Sequence, residues 1–312
     1  MELTSPYGGL VLIESNGINE CTSKTITVEI SGPVESPWFN LKTTNFNLNG
    51  FNSPWVELEG NNVHLTVPIL SLKMLSEQNI KDSMKIWDQI LKSHSELIRP
   101  ICPYRKERIV PDTQISCGYM HSGYPIMTGY DICESKDNKL PIIFGLDQKA
   151  NWGLMHELGH NFQRDYWCFD GTTEVTVNLF TLYTNYKVFG IDNNNANNHE
   201  AIAESKIKAI DYLKNPDYEV WKDDPFLALI TYIQIIEEFG YDPLKKTLLE
   251  YELDIENGIK SPDTNQEKIE TFVKKLSKHC GKDLRKHFIA WGIPYCDFED
   301  DDLSNLSVFA TK

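Results

Sequence analysis

The sequence predicts an α+β protein in which strands come first and helices follow. Within residues 1–70 of the 312, short runs rich in β-branched and aromatic residues alternate between apolar and polar positions. From about Ser71 onward, apolar residues recur at helical spacing. One of these helical stretches carries the motif HELGH at residues 156–160, whose spacing is typical of a metal site.

Residues 1–70 are predicted to form an N-terminal antiparallel β subdomain. Glycine, proline and asparagine separate its short segments, which favours closely spaced strands joined by turns. The predicted strands are GLVLIES, KTITVEISG, PWFNLKT, PWVELEG and NVHLTVP.

Residues 71–190 are predicted to form the core that carries the chemistry. A helix over residues 72–99 ends before a proline, and the strand-like segments RIVPD, TQISCGYM and PIIFGL follow it. A second helix covers residues 150–164. After a break at Asp170-Gly171, a third helix runs to about residue 188. Residues 191–312 are predicted to be a mainly helical C-terminal subdomain, so that one domain with three subdomains results.

The charge and the apolar runs exclude some partners. The formal net charge is −15, and an acidic chain repels phosphate backbones, so we expect no nucleic-acid partner. No run approaches the ~18 apolar residues of a membrane helix. The seven cysteines are scattered and odd in number. With no signal peptide in view, this favours a cytoplasmic protein if the chain is complete, and an extracellular one if it is a piece of a secreted protein.

The HELGH motif predicts two ligands of one metal ion. On a helix, His156 and His160 face the same side one turn apart, which suits two imidazole ligands of Zn²⁺. Glu157 lies between them and can act as general base toward water activated by the metal. Chance predicts roughly 0.016 such matches in a chain of this composition. The alternative is a helix with two structural histidines, which its apolar flanks disfavour because buried histidines need partners.

Glu174 is the candidate third ligand. It lies on the next helix in an apolar setting, where an unpaired carboxylate is costly. The alternative is a glutamate favoured by the helix dipole, with Asp165 and Asp170 as rival ligands. Asn178, four residues later, is expected either to hydrogen-bond one of the metal-binding histidines or to pair with backbone.

The same residues resemble a known family. HELGHNFQ, Trp167 and TTEVTVNLFTLY, together with SPYGG, PWVELEG and QISCGYMHSGYPIM, resemble the enhancin-like zinc metallopeptidases, also called mucin-targeting gluzincins. The segment WKDDPFLALITYIQIIEEFGYDP resembles the related channel-associated factors. The resemblance covers nearly the whole chain. It implies a zincin-type metallopeptidase core and one Zn²⁺ per chain, held by His156, His160 and Glu174.

The expected function is a zinc metalloendopeptidase with Glu157 as general base. The resemblance implies protein or glycoprotein substrates, including mucins. Because peptide hydrolysis needs a donor for the developing oxyanion, Tyr119, His121 and Tyr124 in GYMHSGYP are candidates, with packing on a strand as the favoured alternative. Trp152 either lines the cleft or packs in the core.

Two other functions remain open. The chain could be a catalytically silent binding or regulatory protein of the channel-associated type, with a vestigial zinc site and a membrane-protein partner. The intact Glu157 argues against this, because a pure binding module does not need a general base. A glycan-binding β-sandwich with an inert appendage is the third interpretation.

Overall fold

The computed structural model describes residues 9–13, 27–99, 106–136, 139–145, 148–195 and 198–310, and the side chains of residues 148–151 are not described. The chain divides into two compact units, residues 1–34 and 35–312. In the first unit, the described residues 9–13 and 27–34 contain no strand. The predicted strands GLVLIES and KTITVEISG are therefore wrong where they are described, and their remaining residues lie outside the described residues. The subdomain boundaries near residues 70 and 190 stay predictions.

The second unit contains one six-stranded mixed sheet. Its order is β1-β2-β3-β4-β6-β5. The strands are β1 (Trp38–Asn40), β2 (Trp55–Glu59), β3 (Val63–Pro68), β4 (Glu107–Asp112), β5 (Met120–His121) and β6 (Ile126–Gly129). The pairs β2–β3 and β5–β6 are antiparallel, whereas β1–β2, β3–β4 and β4–β6 are parallel.

This topology corrects the predicted antiparallel arrangement of residues 1–70, because β1 pairs with β2 in parallel. β2 and β3 are antiparallel because a short turn joins them. β3 pairs in parallel with β4, because the long helix that separates them in sequence returns the chain to the same end of the sheet. The sheet therefore spans the predicted boundary at residue 70. Val63, Leu65 and Val67 of β3 are fully buried, and so is Thr66 on the opposite face, so both faces of this strand are covered.

Twelve helices lie between or after these strands in the described part of the chain. They are α1 (Glu77–Ile98), α2 (Ile142–Gly145), α3 (Gln148–Phe162), α4 (Thr173–Thr176), α5 (Asn178–Phe189), α6 (Glu200–Tyr212), α7 (Tyr218–Asp223), α8 (Pro225–Phe239), α9 (Asp242–Glu256), α10 (Asn265–Cys280), α11 (Arg285–Ala290) and α12 (Asp301–Ser304). The α+β class with a helical C-terminal part is confirmed. No helix among the described residues is both long and apolar enough to span a membrane.

The predicted strand PIIFGL is wrong, because its described part forms helix α2. Backbone carbonyls of this turn accept hydrogen bonds from α1: Trp87 Nε1 donates to Ile143 O at 2.9 Å, and Ser83 Oγ donates to Phe144 O at 2.8 Å. A four-residue apolar run carries no reliable periodicity, so tertiary contacts decided its conformation.

Helices α3 and α5 pack so closely that only glycine fits between them. A methyl group at Gly159 would lie 2.9 Å from Val177 Cγ2 and 3.1 Å from the Val177 carbonyl oxygen. From α1, the fully buried His94 ring contacts the carbonyl oxygen of Met155 on α3 at 2.9 Å. These contacts hold α3 rigidly where it carries the HELGH motif.

Candidate metal site

Two helices and the connection between them bring the predicted ligands together. His156 and His160 project from one face of α3, as their four-residue spacing requires. Glu174 lies on the short helix α4, which the chain reaches through a turn at Asp170 and Gly171. Gly171 has a φ of +80°, a conformation that glycine adopts without strain.

The three side chains converge on one point. His156 Nε2 lies 3.2 Å from His160 Nε2 and 3.0 Å from a carboxylate oxygen of Glu174. The other Glu174 oxygen lies 3.6 Å from His160 Nε2. Both imidazoles are largely buried, whereas the Glu174 side chain is 58% exposed. The protein therefore encloses the two imidazoles, whereas the Glu174 side of the site is open to solvent.

Asn178 sets the tautomer of His156. Its Nδ2 donates to the carbonyl oxygen of Glu174 at 2.8 Å, so its Oδ1 must be the atom that faces His156 Nδ1, 2.8 Å away. His156 consequently carries its proton on Nδ1 and presents the Nε2 lone pair to the centre of the site. Asn178 is 2% exposed and thus makes both contacts that the sequence left as alternatives, one to histidine and one to backbone.

Gln163 does the same for His160. Its Nε2 donates to Thr173 O at 2.9 Å and to Thr176 Oγ1 at 2.5 Å, which leaves Oε1 to accept the proton of His160 Nδ1 at 3.2 Å. The Nε2 lone pair of His160 is therefore also directed to the centre. Sequence reasoning missed Gln163, although a residue three positions after His160 on a helix was within reach of it.

The donor set fits a zinc ion. With both Nδ1 protons committed to amide oxygens, two imidazole lone pairs and one carboxylate face each other, an arrangement that repels itself unless a cation lies among them. Tetrahedral zinc with arms of ~2.0–2.1 Å has ligand–ligand edges of about 3.4 Å. The separations of 3.0–3.6 Å match those edges. Among the described residues, His156, His160 and Glu174 form a group whose ligand atoms lie close enough together to hold one metal ion.

Glu157 is half-buried and follows His156 directly in the sequence. The three candidate ligands His156, His160 and Glu174 are called the triad below. Among the described residues it forms no hydrogen bond or ion pair, so its carboxylate is not committed to a structural role. A carboxylate in this condition remains available to accept a proton from water at the site.

The connection between the ligand helices is fastened to the C-terminal helices. Lys268 on α10, 4% exposed, binds Asp165 at 3.3 Å and Asp170 at 3.1 Å. On α9, Glu252 accepts a hydrogen bond from Tyr166 and pairs with Arg164. The rival ligands Asp165 and Asp170 therefore serve an ion pair outside the triad.

The candidate oxyanion donors lie on and around the β5–β6 hairpin. The Tyr119 hydroxyl donates to Asp131 at 2.8 Å, and burial together with that carboxylate raises the pKa of Tyr119 to about 12. Its proton is thus committed to Asp131. His121 contacts Ser122 O and Ser116 Oγ rather than the triad. Tyr124 is half-buried and follows Gly123 at the hairpin tip.

Trp152 belongs to the core. It is 7% exposed and packs edge-to-face on His199, with ring centroids 4.9 Å apart, and against Phe226. The packing of its ring supports the core alternative over a place in the cleft.

Sequence comparisons identify the family. A model of the family described as peptidase M60, enhancin and enhancin-like, matches residues 44–292. The chain is 35% identical to TRPM8 channel-associated factor 3 of Mus musculus, over 92% of this chain and 31% of that protein. It is 36% identical to TRPM8 channel-associated factor 2 of Homo sapiens, over 90% of this chain and 30% of that protein. The chain thus spans about a third of the length of these curated relatives.

Solved structures show the same fold. The M60 catalytic domain of Clostridium perfringens ZmpC, solved in complex with the sialyl T antigen, superposes with a TM-score of 0.62 at 17% identity. The superposition covers 90% of this chain and 57% of that one. The predicted resemblance to enhancin-like metallopeptidases, near the channel-associated branch, is confirmed.

Proposed function

The chain belongs to the peptidase M60 family, and from this premise we propose that it is a zinc-dependent metalloendopeptidase. The observation that carries the proposal is the convergence of His156, His160 and Glu174 around two preset lone pairs, with Glu157 uncommitted beside them. A structural zinc site needs no such base and is usually closed by a fourth protein ligand.

His156, His160 and Glu174 would hold one zinc ion per chain. When bound, zinc supplies Lewis acidity toward a carbonyl oxygen and lowers the pKa of coordinated water. Glu157 takes up the proton of the attacking water and returns it to the amine that leaves. Asn178 and Gln163 keep the two imidazoles in the required tautomers throughout, because neither amide can rotate without losing its own backbone partner.

The proposed substrates are proteins, with glycoproteins and mucins as the first class to test. The support is the fold shared with the domain of ZmpC that was solved with a sialyl T antigen. The Glu174 side chain is 58% exposed, so the site is accessible from solvent.

The decisive experiment measures zinc and cleavage together in the parent chain and in Glu157→Gln. Elemental analysis gives the zinc content, and mass spectrometry of a digested mixture of proteins and mucins gives the cleavage sites. We expect one zinc per chain in both, with cleavage reduced about 10²–10⁴-fold or more in the variant. The matched control, Glu204→Gln on the exposed face of α6, should cleave like the parent. A fully active Glu157→Gln contradicts the proposal.

A second candidate is a binding or regulatory protein of a membrane channel. It is supported by the identity to proteins named TRPM8 channel-associated factors. In this case the zinc site would be structural or vestigial. Retention of the parent chain on a purified TRPM8-type channel, with zinc bound and no cleavage of the substrate mixture, would favour this candidate over the peptidase.

A further inference from the structure

One asparagine ties the tip of the β5–β6 hairpin to the helix that carries the triad. Asn161 directly follows His160 on α3. Its Oδ1 accepts the N–H of Gly123 at 3.0 Å, and its Nδ2 donates to the carbonyl oxygen of Gly123 at 2.9 Å. Both backbone groups of Gly123 therefore pair with a single side-chain amide, as one residue of a strand pairs with another.

The same amide also reaches the sheet. Its Nδ2 donates to Glu107 Oε2 of β4 at 2.9 Å, and Glu107 is 6% exposed. Two donors and one acceptor of Asn161 are thus in use, so the orientation of the amide is fixed. Asn161 is the junction of α3, β4 and the hairpin.

The hairpin is small and has glycines near both ends of its first strand. β5 is only two residues long and lies at the edge of the sheet, where it pairs with β6 on one side. Gly118 and Gly123 have φ values of +59° and +121°, so the chain turns at glycines on both sides of the strand. A short edge strand between two glycines has little rigidity of its own. The Met120 side chain of β5 lies near Gly153 of α3, and the bonds to Asn161 join the hairpin tip to the same helix.

We propose that Asn161 is a positioning residue, which fixes the hairpin tip Ser122–Tyr124 against α3, the helix that carries His156 and His160, without contacting the metal or the substrate. The inference rests on the proposed peptidase function and adds to it a residue that sets where the substrate side of the site lies. Since Asn161 does not touch an imidazole, its loss acts on substrate binding and leaves the metal ligands in place.

The first test is Asn161→Ala, with a peptide that the parent chain cleaves. We expect KM to rise about tenfold and kcat to change by less than about threefold, because misplaced positioning groups weaken productive binding. Zinc affinity, measured by competition with a chelator, should stay within about twofold of the parent. Hydrogen exchange of peptides that span residues 116–125 should become faster, because Gly123 N–H loses its acceptor.

A second variant displaces the tip from the other end. Gly123→Ala places a β-carbon on a residue whose φ is +121°, so the tip must move although Asn161 is intact. It should reproduce the rise in KM.

The double variant Asn161→Asp with Glu107→Gln restores a hydrogen bond between α3 and β4 but leaves the Gly123 carbonyl without its donor. The thermal stability of this double variant should be higher than that of Asn161→Ala, while its KM stays above that of the parent chain.

The control is Asn185→Ala, which removes a different helical asparagine; it is buried and donates to Asn198 Oδ1 at 3.1 Å. It should lower stability without raising KM. Parental kinetics in Asn161→Ala, or a loss of activity that follows a loss of zinc, overturns the inference while the peptidase function stands. A parent chain that binds zinc and cleaves no substrate overturns both.

Discussion

The two sides of the candidate site are built very differently. On the helical side, two amides fix the two imidazole tautomers and also bind the backbone carbonyl oxygens of Thr173 and Glu174 in α4. On the hairpin side, a two-residue strand lies between glycines, and one asparagine of α3 binds both backbone groups of Gly123 at its tip. The contrast teaches that the two candidate histidines are oriented by buried or partly buried amides within the helices, whereas the hairpin is held to α3 by fewer contacts.

The largest effect should follow from removing both amide acceptors on the helical side. In Gln163→Leu with Asn178→Leu, both imidazoles lose the group that sets their tautomer. Each loss costs about 10–100-fold in metal affinity, so the double variant should bind zinc roughly 10²–10⁴-fold more weakly by chelator competition. Gln163→Glu with Asn178→Asp keeps both acceptors and should bind zinc more tightly than the leucine pair. Parental zinc affinity in the leucine variant would mean that the two amides serve packing alone.

A smaller effect concerns pH. Burial lowers the pKa of His94, which lies under α3, and of His287 to about 4, against the hydrogen bonds to backbone carbonyls that favour the charged form. The unfolded chain takes up these protons near pH 6.5, whereas the native chain does so only near pH 4. The free energy of unfolding should therefore fall as pH drops between these values, by up to about 1.4 kcal/mol per pH unit for each histidine.

Urea unfolding from pH 7 to pH 4.5 measures this slope. In His94→Gln the slope should be shallower by the share of one histidine, and the two curves should converge at low pH. Equal slopes in parent and variant would show that His94 is not held neutral in the native state.

Substitutions at two glycines of α3 allow a direct comparison of the helical side with the hairpin side. Gly159→Ala pushes a methyl group against Val177 backbone and side chain on the helical side, and should destabilise by about 1–3 kcal/mol. Gly153→Ala meets only the flexible Met120 side chain of the hairpin, with Sδ at 3.0 Å. Since alanine favours the helix by up to ~1 kcal/mol, Gly153→Ala should be neutral or slightly stabilising. Thermal unfolding of both variants, without zinc, makes the measurement. Similar losses in both would contradict this contrast between the two sides.

The smallest effect is expected at Tyr119. Its hydroxyl is bonded to Asp131 on an exposed part of the hairpin, so Tyr119→Phe should change stability by less than about 0.5 kcal/mol. Cleavage should stay within about twofold. A much larger loss of kcat would return Tyr119 to the candidates for oxyanion donor.

The candidate ligands could be predicted because their geometry is local. Helical periodicity alone places His156 and His160 on one face, and a short connection leaves Glu174 few places to go. Asn178 followed from the same periodicity. Helices with a strong apolar stripe, such as α1, were predicted for the same reason.

The rest depended on contacts distant in sequence. Asn161 binds Gly123 and Glu107, which are 38 and 54 residues away. No pattern in the sequence around Asn161 indicates these contacts. The parallel pairing of β3 with β4 is likewise set across the whole length of α1. PIIFGL became a helix because its carbonyls satisfy Trp87 and Ser83, which no local pattern encodes.

The ion pairs of Lys268 have a consequence for the order in which the molecule is made. Lys268 lies 103 and 98 residues after Asp165 and Asp170, the two acids that it holds in the turn between the ligand helices. During synthesis the ligands leave the ribosome well before the lysine that fastens their connection. Because contacts of such separation close late, we expect the turn between α3 and α4 to gain these ion pairs only after α10 has been translated and has docked.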